Sequence, residues 1–183
     1  DYLKPDHAAI SLTGEPCLYP KLPELVTEFY NQDFESVFLV TNGTVPNMLK
    51  KLSELEKPPT NIYLSMEAWD EKSYLDFCRP LNPNQWLKIQ ESMDILKKLA
   101  KERNENTNQI KTVLRITCVK DFNLDKDFKW VVDKMKPTYI ECKGYMHVGY
   151  SQKRLERTCM PDHIEVKEFA EKLLAKSKDR RAV

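Results

Sequence analysis

Glycine is scarce. Four of 183 residues are glycine, where about 7% is ordinary, so each glycine marks a place where the backbone has a particular task. Long hydrophobic runs are missing as well. Val37-Phe38-Leu39-Val40 is the longest aliphatic and aromatic stretch, far short of the roughly 20 residues a membrane helix needs, and no membrane contact is expected. No charge sign dominates: Lys+Arg 29 against Asp+Glu 28 leaves a net charge of +1, which excludes a histone-like polycation but not a local basic patch. The five cysteines stand at 17, 78, 118, 142 and 159. An odd, scattered set forms neither a disulfide framework nor a Cys-x-x-Cys zinc site, and reduced thiols in a cytoplasmic protein are the expectation. There is no G-x-G-x-x-G, no G-x-x-x-x-G-K and no G-x-S-x-G. His7, His147 and His163 are too dispersed to suggest a metal site. The first ten residues carry both charge signs and a proline and do not read as a secretory leader.

What remains is ordinary globular material. Hydrophobic residues make up 41% of the chain and aromatics 10%, enough to exclude wholesale disorder. A chain of this size suits one domain, or slightly more than one, and can bury roughly 70% of its unfolded surface. Short β-branched and aliphatic runs at residues 8–12, 36–40, 61–66, 112–119 and 138–142 predict strands, separated by stretches of helical period. Leu22, Leu25, Val26, Phe29 and Tyr30 fall on one helical stripe, with Pro23 in its first turn. A short helix is predicted from Pro46, and another over 70–77, ended by Arg79-Pro80. A long helix capped by Asn84 carries Trp86, Ile89, Met93 and Leu96. One more carries Leu124, Phe128, Val131, Val132 and Met135, and a last begins near His163. The polar segment 102–109 reads as a loop, and the basic segment 176–183 as a frayed tail after a domain spanning 1–175.

Alternating βα units imply a parallel sheet. In an open doubly wound sheet, the central strands would be apolar on both faces. Three strands here are not. Ile62, Leu64 and Met66 oppose Tyr63, Ser65 and Glu67; Leu114, Ile116 and Cys118 oppose Arg115 and Thr117; Ile140 and Cys142 oppose Tyr139, Glu141 and Lys143. One greasy face and one that turns polar toward the C-terminal end is the pattern of a β/α barrel whose mouth holds a polar ligand. Edge strands with one solvated face would give the same pattern. Five strands make a partial TIM-like (β/α) barrel with helices outside, since a closed eightfold barrel takes about 250 residues.

Sites in such folds gather at the C-terminal strand ends. Those ends read Thr13-Gly14-Glu15-Pro16, Thr41-Asn42-Gly43, Ser65-Met66-Glu67, Arg115-x-Thr117 with Lys120, and Glu141-Cys142-Lys143-Gly144. Glycine admits a ligand close to the backbone, while the carboxylates, amides and cations supply polar contacts.

The run Ser11-Leu12-Thr13-Gly14-Glu15-Pro16, followed by Tyr19-Pro20 and Phe38-Leu39-Val40-Thr41-Asn42-Gly43, resembles the radical S-adenosylmethionine enzymes. Ser65-x-Glu67-Ala68, Arg79-Pro80-Leu81, Arg115-x-Thr117-x-Val119-Lys120 and Glu141-x-Lys143-Gly144 resemble more narrowly the wybutosine branch, the tRNA 4-demethylwyosine synthases. The likeness covers the chain from His7 to Leu174. It implies a partial radical-S-adenosylmethionine barrel and a lyase of tRNA processing. That enzyme joins pyruvate to N1-methylguanosine in phenylalanine tRNA, using S-adenosylmethionine and a [4Fe–4S] cluster. By resemblance, Thr13, Gly14, Glu15 and Pro16 lie along the methionine part of S-adenosylmethionine. Thr41, Asn42 and Gly43 lie near its sugar and carboxylate, and Ser65 and Glu67 on the next strand. Arg115, Glu141 and Lys143 take the catalytic side, with Arg115 or Lys143 facing anionic groups.

The family holds its cluster on a Cys-x-x-x-Cys-x-x-Cys loop, and no such spacing exists here. The resemblance therefore predicts a monomeric segment that starts at the family's second barrel strand, carries no metal ligands and is inactive alone. It also predicts no flavin-binding (FMN) domain of the kind fused to eukaryotic members. Two other classes stay open. One is a tRNA-binding module resting on Lys143, Lys153, Arg154, Arg157 and the basic tail; the other is an aldolase-like enzyme with Lys120 or Lys143 as Schiff-base amine.

Overall fold

The computed structural model describes residues 4–102 and 110–176; the expected polar loop over 102–109 and the tail over 176–183 fall almost wholly outside them. The strands are β1 (His7–Ile10), β2 (Ser36–Thr41), β3 (Asn61–Ser65), β4 (Lys111–Cys118) and β5 (Tyr139–Gly144). The helices are α1 (Leu22–Asn31), α2 (Pro46–Ser53), α3 (Glu71–Cys78), α4 (Gln85–Glu102), α5 (Lys129–Met135) and α6 (His163–Lys176). The strands pair in parallel, in the order β1-β2-β3-β4-β5. A monotonic order belongs to a barrel wall, because a doubly wound sheet reverses its order at a switch point. The long interval between β3 and β4 holds two helices rather than one.

The alternation read from the sequence is the alternation of the sheet. Val37, Leu39, Ile62, Leu64, Leu114, Ile116 and Cys118 are fully buried on one face and pack with the helices into a single core. Tyr63, Ser65, Arg115, Thr117 and Glu141 line the other face and are half-buried. β3 and β4 are interior strands, so their polar face is not the solvated side of a sheet edge. In α4, Trp86, Ile89, Met93 and Leu96 are buried at helical spacing, and the helix packs against α2, α5 and β4.

Local chemistry sets the element ends. Asp70 caps α3 reciprocally: its carboxylate accepts the Ser73 N–H at 2.7 Å while Ser73 Oγ accepts the Asp70 N–H at 3.0 Å. Arg79, at φ 49, closes α3 in the left-handed conformation before Pro80. Three expectations shift. α5 starts at Lys129, leaving Leu124 and Phe128 in the preceding loop, because the Asp127 carboxylate accepts the Lys129 N–H at 2.9 Å and holds a turn there. At the start of α4, the Asn84 N–H is accepted by Asn82 Oδ1, so Asn82 organises the turn into the helix. His7 opens β1 rather than preceding it, and its Nδ1 meets Ser36 Oγ at 2.8 Å.

Candidate functional site

All five C-terminal strand ends face the same end of the sheet, since the strands are parallel. β1 gives way to a loop in which Leu12 and Gly14 both take positive φ, at 85° and 75°. It then closes in a single 3₁₀ turn, Pro16–Leu18, capped by Glu15. The Glu15 carboxylate accepts the Thr41 hydroxyl at 2.6 Å, the Asn42 N–H at 2.7 Å and the Cys17 N–H at 3.0 Å. One side chain thereby fixes the loop after β1 to the end of β2 with charge-assisted hydrogen bonds. The Thr41 hydroxyl in turn accepts the Gly43 N–H, and Asn42 Oδ1 accepts both the N–H and the hydroxyl of Thr44. Gly43 is at φ 74, and a Cβ there would lie 2.5 Å from the Leu64 side chain. Its carbonyl accepts from the buried Ser92 hydroxyl of α4 at 2.7 Å. The left-handed backbone angle favours glycine at 43, and any side chain there would also have to displace the Leu64 methyl.

Across β3, β4 and β5, the register places Ser65, Arg115 and Glu141 side by side in one row, with Thr117 beside Lys143 in the next. Arg115 Nε donates to Glu141 Oε2 at 2.7 Å, and its guanidinium lies 4.5 Å over the Tyr63 ring. Glu67, just past β3, is hydrogen-bonded by the Thr117 side chain and lies within the field of Lys143. Burial pushes its carboxyl above the ordinary value; the Thr117 contact and Lys143 only partly oppose this. The face therefore offers a neutralised Arg–Glu pair, a carboxyl that resists ionisation and the exposed cation Lys143.

Sequence reasoning placed Tyr63, Ser65, Arg115, Glu141 and Lys143 on one face, and the register does bring them together. It missed Asn123. This fully buried amide accepts the Val119 N–H and donates to the carbonyls of Glu67 and Thr117, pinning the ends of β3 and β4 to each other. The only signal was the turn-prone Asp121-Phe122-Asn123 after a strand. Lys120 is unsuited to Schiff-base chemistry. Glu165 holds its ammonium at 2.6 Å and raises its pKa, where an amine nucleophile needs a lowered one.

The donor set does not fit an iron–sulfur cluster. Among the described residues, no three His, Cys, Asp or Glu side chains are placed to hold a metal. Cys17, the central residue of the 3₁₀ turn, is buried in the core, and burial pushes its thiol up to about 12; Cys78 is pushed up to about 12 as well. Cys118 and Cys142 hydrogen-bond to each other on the helix-covered face, away from the polar row. No helix among the described residues is long and apolar enough to cross a membrane.

Comparison with known proteins agrees with this geometry. Residues 134–179 match the family model described as Wyosine base formation. The S-adenosyl-L-methionine-dependent tRNA 4-demethylwyosine synthase of Pyrococcus abyssi is 39% identical over 173 residues, which cover 93% of this chain and 48% of that protein. The crystal structure of archaeal TYW1 superposes with a TM-score of 0.73 at 29% identity, over 94% of this chain and 50% of that one. A domain of pyruvate-formate lyase-activating enzyme from Bacteroides vulgatus ATCC 8482 superposes with a TM-score of 0.64 at 13% identity, over 98% of both chains, and shares the fold. The chain thus spans about half the length of the archaeal relatives it matches.

Proposed function

We propose that this chain, which is similar over 93% of its length to about half of an archaeal tRNA 4-demethylwyosine synthase, supplies most of the ligand-holding strand ends of such an enzyme. The reaction would convert N1-methylguanosine in phenylalanine tRNA, with pyruvate, to 4-demethylwyosine. The observation that carries this reading is the polar row Ser65–Arg115–Glu141 at the mouth of a wall whose other face is a buried, mainly apolar core.

S-adenosylmethionine, when bound, supplies the family's hydrogen-abstracting chemistry; a cluster would have to be held by residues other than these. The chain's own residues bind and orient. The backbone of Thr13, Gly14 and Pro16 would run along the methionine part, and nothing lies within 4 Å of the place where a Gly14 side chain would be. Glu15 spends its carboxylate on Thr41, Asn42 and Cys17, so it shapes the loop rather than touching the ligand. Asn42, Gly43, Ser65 and Glu67 would face the sugar and carboxylate side. Arg115 is held by Glu141 and Tyr63, which leaves Lys143 to meet a carboxylate, either that of S-adenosylmethionine or that of pyruvate.

A chimera tests this reading. The chain replaces the matched segment of the Pyrococcus abyssi relative, and the product nucleoside is measured by mass spectrometry after incubation with tRNA, S-adenosylmethionine and pyruvate. Product formation, lost on Lys143→Gln, is expected. A chimera that folds and takes up its cluster but yields no product would refute the assignment.

A further inference from the structure

The loop after β5 is built around a hydrogen-bonded centre that turns apolar and cationic groups outward. Tyr145 is buried, and its hydroxyl sits 3.1 Å from both His147 Nδ1 and Ser151 Oγ. Ser151 Oγ also donates to the Val148 carbonyl at 2.6 Å, and Gln152 Nε2 donates to the His147 carbonyl at 2.9 Å. The Tyr145 N–H is accepted by the Cys118 carbonyl at 2.8 Å, and the Lys120 N–H by the Cys159 carbonyl at 2.9 Å, which tie both ends of the loop to the end of β4. Arg154 donates to the Phe77 carbonyl and lies over the Phe77 ring, whose stack on Phe122 has a centroid distance of 3.9 Å. The loop is therefore anchored at its base.

Its outer surface is unusual for so well tied a segment. Tyr150 is 79% exposed, at the tip of a turn that Gly149 makes at φ 59. The Lys153 ammonium lies 4.6 Å from the centroid of the Tyr150 ring. Lys143, Lys153, Arg154 and Arg157 are exposed against the single carboxylate Glu156. Over residues 143–157 the charge is thus 4 − 1 = +3, in a chain whose total is +1. An exposed ring flanked by cations, on a pre-formed loop, matches the chemistry of an unpaired nucleotide: the base stacks on the ring and the cations meet the phosphates.

We propose that Tyr150 is a stacking platform for an unpaired base of the RNA substrate, with Lys153 and Arg157 contacting the phosphates beside it. The proposal rests on the reading of the chain as part of a tRNA-modifying enzyme and adds to it the place where the RNA loop is gripped. The loop leaves the sheet at the end that carries Lys143, so Tyr150 belongs to the same end of the sheet as the polar row.

Fluorescence anisotropy of the chain with two labelled RNAs, a hairpin with an unpaired loop and a blunt duplex of equal length, tests it. Tyr150→Ala is expected to weaken hairpin binding about tenfold and leave duplex binding unchanged. Tyr150→Phe, which keeps the ring, should bind like the parent chain. Lys153→Gln combined with Arg157→Gln should weaken both RNAs and flatten the dependence on salt. Equal hairpin affinity of Tyr150→Ala and the parent would overturn the proposal, as would equal losses on hairpin and duplex. Failure of the parent chain to bind the hairpin would overturn it too; if the chimera were active in that case, the proposed function would stand and this loop would be a protein-contact surface.

Discussion

Glu15 accepts the hydroxyl proton of Thr41 at 2.6 Å across the gap between the first two strand ends. The same carboxylate accepts two backbone N–H groups, so Glu15→Ala removes the acceptor for three donors at once. Hydrogen bonds to a charged group are worth about 1.5–3 kcal/mol each, and the exposed Asn42 regains water when the carboxylate is removed. A net loss of about 2 kcal/mol in urea unfolding is expected, together with faster hydrogen exchange at the Cys17 and Asn42 amides. Unchanged exchange at both amides would show that the latch is not formed in solution.

Glu67 and Glu141 lie on the same polar face but differ in what surrounds them. Glu141 has Arg115 at 2.7 Å, whereas burial drives the Glu67 carboxyl upward. Unfolding returns Glu67 to its ordinary value near 4.5. The folded chain therefore binds that proton more tightly than the unfolded chain, and loses stability as pH rises above 4.5. Glu67→Gln stays neutral throughout. It should match the parent in acid and exceed it in stability near neutral pH, with the gap opening as pH rises. A gap that closes with rising pH, followed by urea midpoints at about pH 4 and about pH 7.5, would contradict the assignment.

For the Arg115–Glu141 pair a double-mutant cycle is informative. The side chains are 23% and 35% exposed, which limits the coupling between Arg115→Met and Glu141→Gln to about 1 kcal/mol, reduced further by added salt. Zero coupling at low salt would mean that the pair is not held.

Gly43 and Gly14 share positive φ but not their surroundings. Gly43→Ala must both strain the backbone and displace Leu64, whereas Gly14→Ala meets open space. The first should cost roughly 2–4 kcal/mol and the second about 1 kcal/mol. Equal costs would place the end of β2 elsewhere.

Much of this was legible in the sequence, for a physical reason. Strand faces alternate with a period of two, so the opposition of Leu114 and Ile116 to Arg115 and Thr117 names the buried face directly. The positions of α1 and α4 followed from apolar stripes of helical period that the core then covered. What could not be read were contacts made across the chain by single polar groups. Nothing local in the sequence says that Glu15 turns its carboxylate to Thr41, 26 residues away, or that Asn123 reaches Glu67. The exposed loop after β5 was equally hidden. Its centre, Tyr145 with His147 and Ser151, has no periodicity to announce it.

The most direct test of the account is where S-adenosylmethionine binds this chain. Without cluster ligation the affinity should be weak, in the millimolar range, corresponding to about −4 kcal/mol. Amide chemical shifts followed by NMR during titration should move at Gly14, Asn42, Gly43, Ser65 and Glu67. Shifts confined to the opposite end of the sheet, around the cavity of about 490 Å³ lined by Tyr30, Lys57 and Lys111, would contradict the placement of the ligand at the C-terminal strand ends.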